Sequence, residues 1–216
     1  MRVVIAKQDR TYAEALGLIV QQVLPETEIQ THVRGKEALA TLQAQVADYL
    51  LLGLNFPDVD GMDLLLQISE HRLARRVLIV ADIRDELAIP TLHTARVDAI
   101  LDTGTEPLES IREALRMVRD GKVYVSPSLH AYLVERGPEL QRTKLTPAEL
   151  RILRLIGSGQ DNQEAGFALG LSESTVQTHR RNIMHKLKVS TSAKLVREAV
   201  RLGYVRISYN AAETAS

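Results

Sequence analysis

Short apolar runs alternate with amphipathic stretches between residues 2 and 104, and after Thr146 that alternation stops. The runs are Val3-Val4-Ile5-Ala6, Glu28 to Val33, Tyr49-Leu50-Leu51-Leu52, Val77-Leu78-Ile79-Val80 and Ala99-Ile100-Leu101. Helical patterns fall between them near 11–23, 36–45, 62–72 and 84–94, and a fifth near 107–119 carries Leu108, Ile111, Leu115 and Val118 on one face. Five strand-like runs alternating with five helical stretches predict an α/β domain with a doubly wound, five-stranded parallel sheet over residues 1–120. Gly121 and Ser126-Pro127 break the pattern, and Pro127 to Arg136 reads as a linker helix ended by Gly137-Pro138, so residues 121–140 are expected to be a linker. Thr146-Pro147-Ala148-Glu149 has the form of a capping box and opens an all-α segment. Ser158-Gly159, Leu169-Gly170 and Val189-Ser190 then separate three more helices near 161–168, 172–187 and 191–202. Residues 141–206 are therefore expected to form a four-helix domain, and the small, polar residues 207–216 a disordered tail.

Charge divides the chain at the same place. Residues 1–140 carry 15 Lys and Arg against 21 Asp and Glu, net −6, whereas residues 141–206 carry 12 against 5, net +7. The split suggests a regulatory module joined to one that binds a polyanion, or two solvated surfaces that differ by chance. There is no cysteine, which excludes disulfides, thiol catalysis and thiolate metal sites. The apolar run after Met1 is too short for a signal peptide, and no stretch reaches the ~18 apolar residues of a membrane span. A cytoplasmic protein that binds no membrane is expected. Asp58, Asp60 and Asp63 look like the start of a calcium loop, but the sixth position that needs Gly is Asp63 and the twelfth that needs Glu is Ser69. They are expected to be turn and helix-start residues. The six histidines show no metal or triad spacing, and neither a Gly-x-x-x-x-Gly-Lys loop nor a Gly-x-Ser-x-Gly elbow is present. No enzyme, metal or cofactor is expected.

The run Leu50-Leu51-Leu52-Gly53-Leu54-Asn55-Phe56-Pro57-Asp58-Val59-Asp60-Gly61 reads as buried strand, turn and helix start, with Gly53 at the carboxyl end of the strand, where ligands gather in such sheets. This run and its setting resemble the receiver domain of bacterial two-component response regulators, which implies a flavodoxin-like fold. In that family an aspartate at the place of Gly53 accepts a phosphoryl group. The resemblance further matches Lys7 and Gln8 to the family's magnesium-binding acidic pair, and Ala81 to its hydroxyl residue. The lysine that ends the family's fifth strand is matched by Thr103, or by Asp102 if the alignment slips by one. It thus implies a degenerate receiver that phosphorylation cannot switch. Lys7 either fills the space of the magnesium, paired with Asp9 or Asp60, or projects into solvent.

In the second half, Ser172 is a natural N-cap for a helix over 172–187. At about 100° per residue, Val176, Ile183 and Leu187 share one face with Met184 beside it, leaving Ser174, Gln177, Thr178, Arg181, His185 and Lys188 on or flanking the other. That second face mixes hydrogen-bonding groups and cations without a carboxylate, a set that can read base edges and hold phosphates. Together with Leu145 to Glu149, Gly159, Asn162, Glu164 and Lys186-Leu187, it resembles the LuxR-type helix-turn-helix domain, and the whole chain resembles NarL/FixJ-type response regulators. Gln163 and Gln177 replace frequent lysines of that family, Ala165 a frequent isoleucine and Gly166 a frequent alanine, the last expected to cost about 1 kcal/mol.

The expected function is a sequence-specific transcription regulator that binds double-stranded DNA as a homodimer. Ser174, Gln177, Thr178 and Arg181 are the contact candidates, and Arg180, Lys186 and Lys188 support the backbone register. Two other readings remain open: an adaptor that binds a partner protein through the receiver-like domain, and a sensor with a small ligand at the altered pocket.

Overall fold

The computed structural model describes residues 1–83, 95–130 and 145–201, with Leu92 and Val134. The tail, and most of the expected helices at 84–94 and 127–136, lie outside the described residues. The described chain forms two compact units, residues 1–83 with 95–130 and residues 145–201.

The first unit is a parallel sheet in the order β2-β1-β3-β4-β5-β6. Its strands are β1 (Arg2–Ala6), β2 (Glu28–His32), β3 (Ala47–Leu52), β4 (Ala74–Ala81), β5 (Ala99–Asp102) and β6 (Tyr124–Val125). Helices α1 (Arg10–Val23), α2 (Gly35–Ala44), α3 (Gly61–His71) and α4 (Leu108–Arg119) cross between strands. Both faces of the central strands are covered, so Val3 to Ala6 and Leu50 to Leu52 are fully buried. α1 contributes Ala13, Leu16, Val20 and Val23 to one core layer, and α4 adds Ile111, Ala114, Leu115 and Val118. Each of these larger side chains gains roughly 1.5–3 kcal/mol on leaving water.

The sheet has six strands where the sequence predicts five. β6 pairs parallel with β5, Ala99 opposite Tyr124 and Ile100 opposite Val125. A two-residue strand leaves no period-2 pattern, and the adjacent Gly121 and Pro127 read as punctuation.

Local capping fixes the helix starts. Asp9 caps α1 by accepting the Tyr12 N–H at 2.9 Å, and Asp60 caps α3 by accepting those of Met62 and Asp63. Arg34, the N-cap residue of α2, makes no side-chain cap. Asp58 performs that task from the β3–α3 loop, its carboxylate accepting the Gly35 and Lys36 N–H groups, both at 3.0 Å. Those donors hold the Asp58 carboxyl below the usual carboxylate range despite the opposing effect of desolvation.

The second unit contains α5 (Pro147–Gly157), α6 (Asn162–Leu169), α7 (Glu173–Lys186) and α8 (Ser192–Arg201). Leu150, Leu153, Ala165, Val176, Ile183, Leu195 and Ala199 are fully buried and make its core. Thr146 and Asp161 each complete a capping box, with Glu149 and Glu164 respectively, and Ser172 caps α7. The α6–α7 turn is tight: Gly170 is left-handed (φ 68°) and the Leu171 N–H returns to the Gly166 carbonyl at 2.9 Å. A Cβ at Gly166 would lie 2.7 Å from the Leu171 carbonyl oxygen. Glycine's expected cost inside a helix is therefore offset by the close approach it allows between α6 and the turn.

Candidate nucleic-acid interface and the altered sheet edge

The strand order reverses direction between β1 and β3, and the crevice beyond their carboxyl ends is where such sheets bind ligands. Lys7 follows β1 and Gly53 follows β3, the Gly53 N–H donating to the Ala6 carbonyl at 2.8 Å. The Lys7 side chain crosses this edge and its ammonium donates to the Val80 carbonyl of β4 at 3.1 Å. It lies 5.0 Å from the centre of the Tyr12 ring, within reach of a cation–π attraction. A Cβ at position 53 would sit 2.9 Å from Lys7 Cδ, so glycine leaves the lane that the lysine occupies. Of the two expectations for Lys7, projection into solvent is not what the structure shows. The ammonium turns inward onto a carbonyl, with attraction from the expected Asp9 and from Asp82, while the Asp60 carboxylate caps α3. Burial lowers its pKa, and the two aspartates raise it in part.

The rest of the edge is quiet or spent. Gln8 is exposed, and Ala81 is buried at the end of β4. β5 ends on Asp102, in register with Ala81, and Thr103 follows it with its N–H on the Ala81 carbonyl. Asp102 is 6% exposed. Its carboxylate accepts the N–H groups of Ile83 and Gly104 and the Thr105 hydroxyl, with the Ser128 hydroxyl at 3.5 Å. Desolvation pushes its pKa up, but these donors outweigh it and the net shift is downward. The Ser126 hydroxyl in turn accepts the Asp102 N–H at 2.8 Å.

On α7 the split into faces follows the helical period. Val176 and Ile183 are fully buried, while Ser174, Gln177, Thr178, Arg181, His185 and Lys188 are exposed. Ser172 Oγ lies 2.9 Å from Ser174 Oγ and 2.7 Å from Thr175 Oγ1, and the Thr178 hydroxyl donates to the Ser174 carbonyl. Lys188 just beyond the helix is left-handed (φ 54°), with Val189 N–H closing the turn onto Met184.

The remaining two cations turn inward. Arg180 donates to Asn162 Oδ1 at 2.9 Å and to Ser192 Oγ at 2.5 Å, joining α6, α7 and the start of α8. Lys186 reaches Glu149 Oε2 at 2.6 Å, and the same oxygen accepts the Thr146 N–H at 2.8 Å. Glu149 is buried; desolvation pushes its pKa up, but the Lys186 ammonium and the Thr146 N–H outweigh this and hold it below its ordinary value. The Thr-x-x-Glu pattern announces Glu149 as a cap, and nothing local to it announces a second partner 37 residues away. The contacts of Asp102 with Ile83, Ser126 and Ser128 and the bridge at Arg180 have no sequence signal, because each joins residues far apart in the chain.

Residues 143–199 match the family described as "Bacterial regulatory proteins, luxR family". A nitrate/nitrite response regulator protein homolog of Haemophilus influenzae is 32% identical over 158 residues, 72% of this chain and 74% of that protein. The transcriptional regulatory protein MctR of Rhizobium johnstonii is 29% identical over 187 residues, 83% of this chain and 86% of that one. The fold is similar to RcsB of Salmonella enterica serovar Typhimurium bound to a promoter, with a TM-score of 0.57 at 19% identity over 92% of this chain and 97% of that one. RcsB is also described as two dimers bound to two parallel DNAs. Alignments this long exceed either unit alone, and with the parallel sheet and the helix-turn-helix in place the chain belongs to the NarL-like response regulators, DNA-binding transcriptional regulators with a LuxR-type helix-turn-helix domain.

Proposed function

We propose that this regulator reads double-stranded DNA with the exposed face of α7 and acts without phosphorylation of an aspartate. The observation that carries the first part is the face itself: four hydrogen-bonding side chains or cations at Ser174, Gln177, Thr178 and Arg181, all exposed. Gln177 matches the edge of adenine and Arg181 that of guanine or a phosphate. Lys188 supports a phosphate role, since a left-handed residue other than glycine costs about 1–2 kcal/mol and a cation at that place gives the cost a use. Arg180 and Lys186 serve by holding α7 in place, their donors being taken up within the unit. One such helix specifies too few base pairs for a unique site, so the protein works as a homodimer on an inverted repeat, as the RcsB dimers on DNA suggest. Chromosomal DNA as the target puts the protein in the cytoplasm, and its action is binding rather than catalysis. Selection of bound fragments from random genomic DNA tests this reading: an inverted motif with half-sites on one face of the duplex is expected, and recovery without any motif overturns it.

The independence from phosphorylation is supported by Lys7 lying in the lane that Gly53 leaves open. An ammonium at this edge repels a magnesium ion, and glycine offers nothing to esterify. Incubation with acetyl phosphate, or with beryllofluoride and magnesium, is expected to leave both the mass of the receiver unit and its hydrogen exchange unchanged. A stoichiometric adduct there overturns it.

A further inference from the structure

Thr178 stands in the middle of the exposed face of α7, with Ser174 one turn before it, Gln177 beside it and Arg181 one turn after. Its hydroxyl is already committed. Oγ1 donates to the Ser174 carbonyl at 2.9 Å, four residues back along the same helix. A threonine hydroxyl has one proton, and with that proton on the helix backbone the side chain has no donor left for the acceptors of base edges, guanine O6 and N7, adenine N7 and thymine O4.

The other heavy substituent on its Cβ is the Cγ2 methyl, which takes a different staggered position from the oxygen. Back-bonding by Oγ1 selects between the two rotamers that threonine adopts in a helix, so the methyl is held at a fixed place on an exposed residue. Its neighbours differ in kind: the Gln177 amide carries donors and an acceptor, and the Arg181 guanidinium carries donors only. The face thus sets one small apolar point between hydrogen-bonding groups. In the major groove of unmodified DNA the apolar group on a base edge is the C5 methyl of thymine.

We infer that Thr178 determines specificity for thymine through its methyl group, which packs against the C5 methyl of one thymine in each half-site, while its hydroxyl serves only to fix that methyl. The inference rests on the DNA-binding reading above, and the test separates the two. Removing one methyl's worth of apolar surface from water shifts an equilibrium by about fourfold, and the two half-sites of an inverted repeat together give about fifteenfold.

The probe is a duplex carrying the inverted motif that the intact protein selects from genomic DNA. Its thymines are replaced, one symmetric pair at a time, by deoxyuridine, which lacks only the C5 methyl, and wild type, Thr178→Ser and Thr178→Val are titrated at one salt concentration. Serine keeps the hydroxyl and loses the methyl; valine does the reverse. Thr178 is exposed, so neither variant disturbs the core. Wild type is expected to show one pair of thymines at which deoxyuridine weakens binding by about fifteenfold. Thr178→Ser should bind the thymine duplex more weakly by a similar factor and be indifferent to deoxyuridine at that pair, while Thr178→Val keeps the preference. Any effect of the methyl on the duplex itself is common to the three proteins and cancels in the comparison. Wild type indifferent to deoxyuridine at every thymine overturns the inference, and so does a full penalty retained by Thr178→Ser. Loss of the preference in Thr178→Val assigns the readout to the hydroxyl and overturns it too. A wild-type protein that selects no motif overturns the reading beneath it.

Discussion

The sheet edge around Lys7 and the face of α7 are the two places where this chain's chemistry is concentrated, and they treat cations in opposite ways. At the sheet edge the one lysine is folded onto a backbone carbonyl, next to a glycine that makes room for it. On and beside α7 two cations are used internally, at Arg180 and Lys186, while Arg181 and Lys188 remain exposed. The difference teaches that the number of cations in a motif does not measure the ligand-facing charge. What decides is whether a buried or nearby acceptor has already claimed them, and that depends on residues remote in sequence.

The largest effect that could break this contrast is expected at Lys186. Lys186→Met leaves the Glu149 carboxylate buried without its ion pair, and about 3 kcal/mol of stability in the helical unit should be lost. Hydrogen exchange at α5 and α7 amides of the intact chain measures it. Glu149 has a folded pKa below its unfolded value, so its contribution is complete above the ordinary carboxylate pKa and disappears as pH falls through the depressed one. Wild type should therefore lose exchange protection in α5 on acidification below about the ordinary glutamate value, and Glu149→Gln, weaker at neutral pH, should change less over the same range. Equal pH dependence in both proteins would assign the transition to another group.

Neighbouring arginines sharpen the comparison. Arg181→Ala is expected to cost about 1–3 kcal/mol of DNA affinity with little change in stability. Arg180→Ala should instead loosen α6 against α7 and α8, with any loss of affinity following the loss of exchange protection. If both variants weaken DNA binding equally at full protection, the inward and outward assignments fail. Gly166→Ala comes next: the gain in helix propensity is about 1 kcal/mol, but the new Cβ must push the Leu171 carbonyl, which is backbone and cannot move cheaply. A net loss of about 1 kcal/mol in thermal or chemical unfolding is expected, and a gain would show that the turn relaxes freely. The smallest effect is Gly53→Asp, where the obstacle is the flexible Lys7 stem. Little change in stability and no adduct with acetyl phosphate are expected, because the restored carboxylate would pair with Lys7; ordinary phosphorylation of this variant would show that Lys7 does not hold the edge.

Periodicity made most of the fold legible. The apolar runs placed β1, β3, β4 and β5, and the helical periods placed α1 to α4, because each element is long enough to repeat its pattern. β6 was not legible, having two residues and pairing only with β5. The exposed face of α7 could be read from spacing alone, since burial of Val176 and Ile183 sets the opposite side. The inward turn of Lys186 could not, nor could Asp58's capping of α2, for both need a partner brought in by the fold. Lys7 lay between these cases: its place at the sheet edge was legible, but its anchor on Val80 was not.

Asp102 joins two things usually separate, the end of a strand and the start of the segment that leaves the sheet. Ser126 reaches its N–H, and Thr105 and Ser128 lie against its carboxylate. Tyr124 adds a second stitch through its hydroxyl to Glu106 at 2.8 Å. In mechanical terms this is a clamp on β6: a pull at Ser128 is met by the tip of β5 and does not simply peel a two-residue strand away.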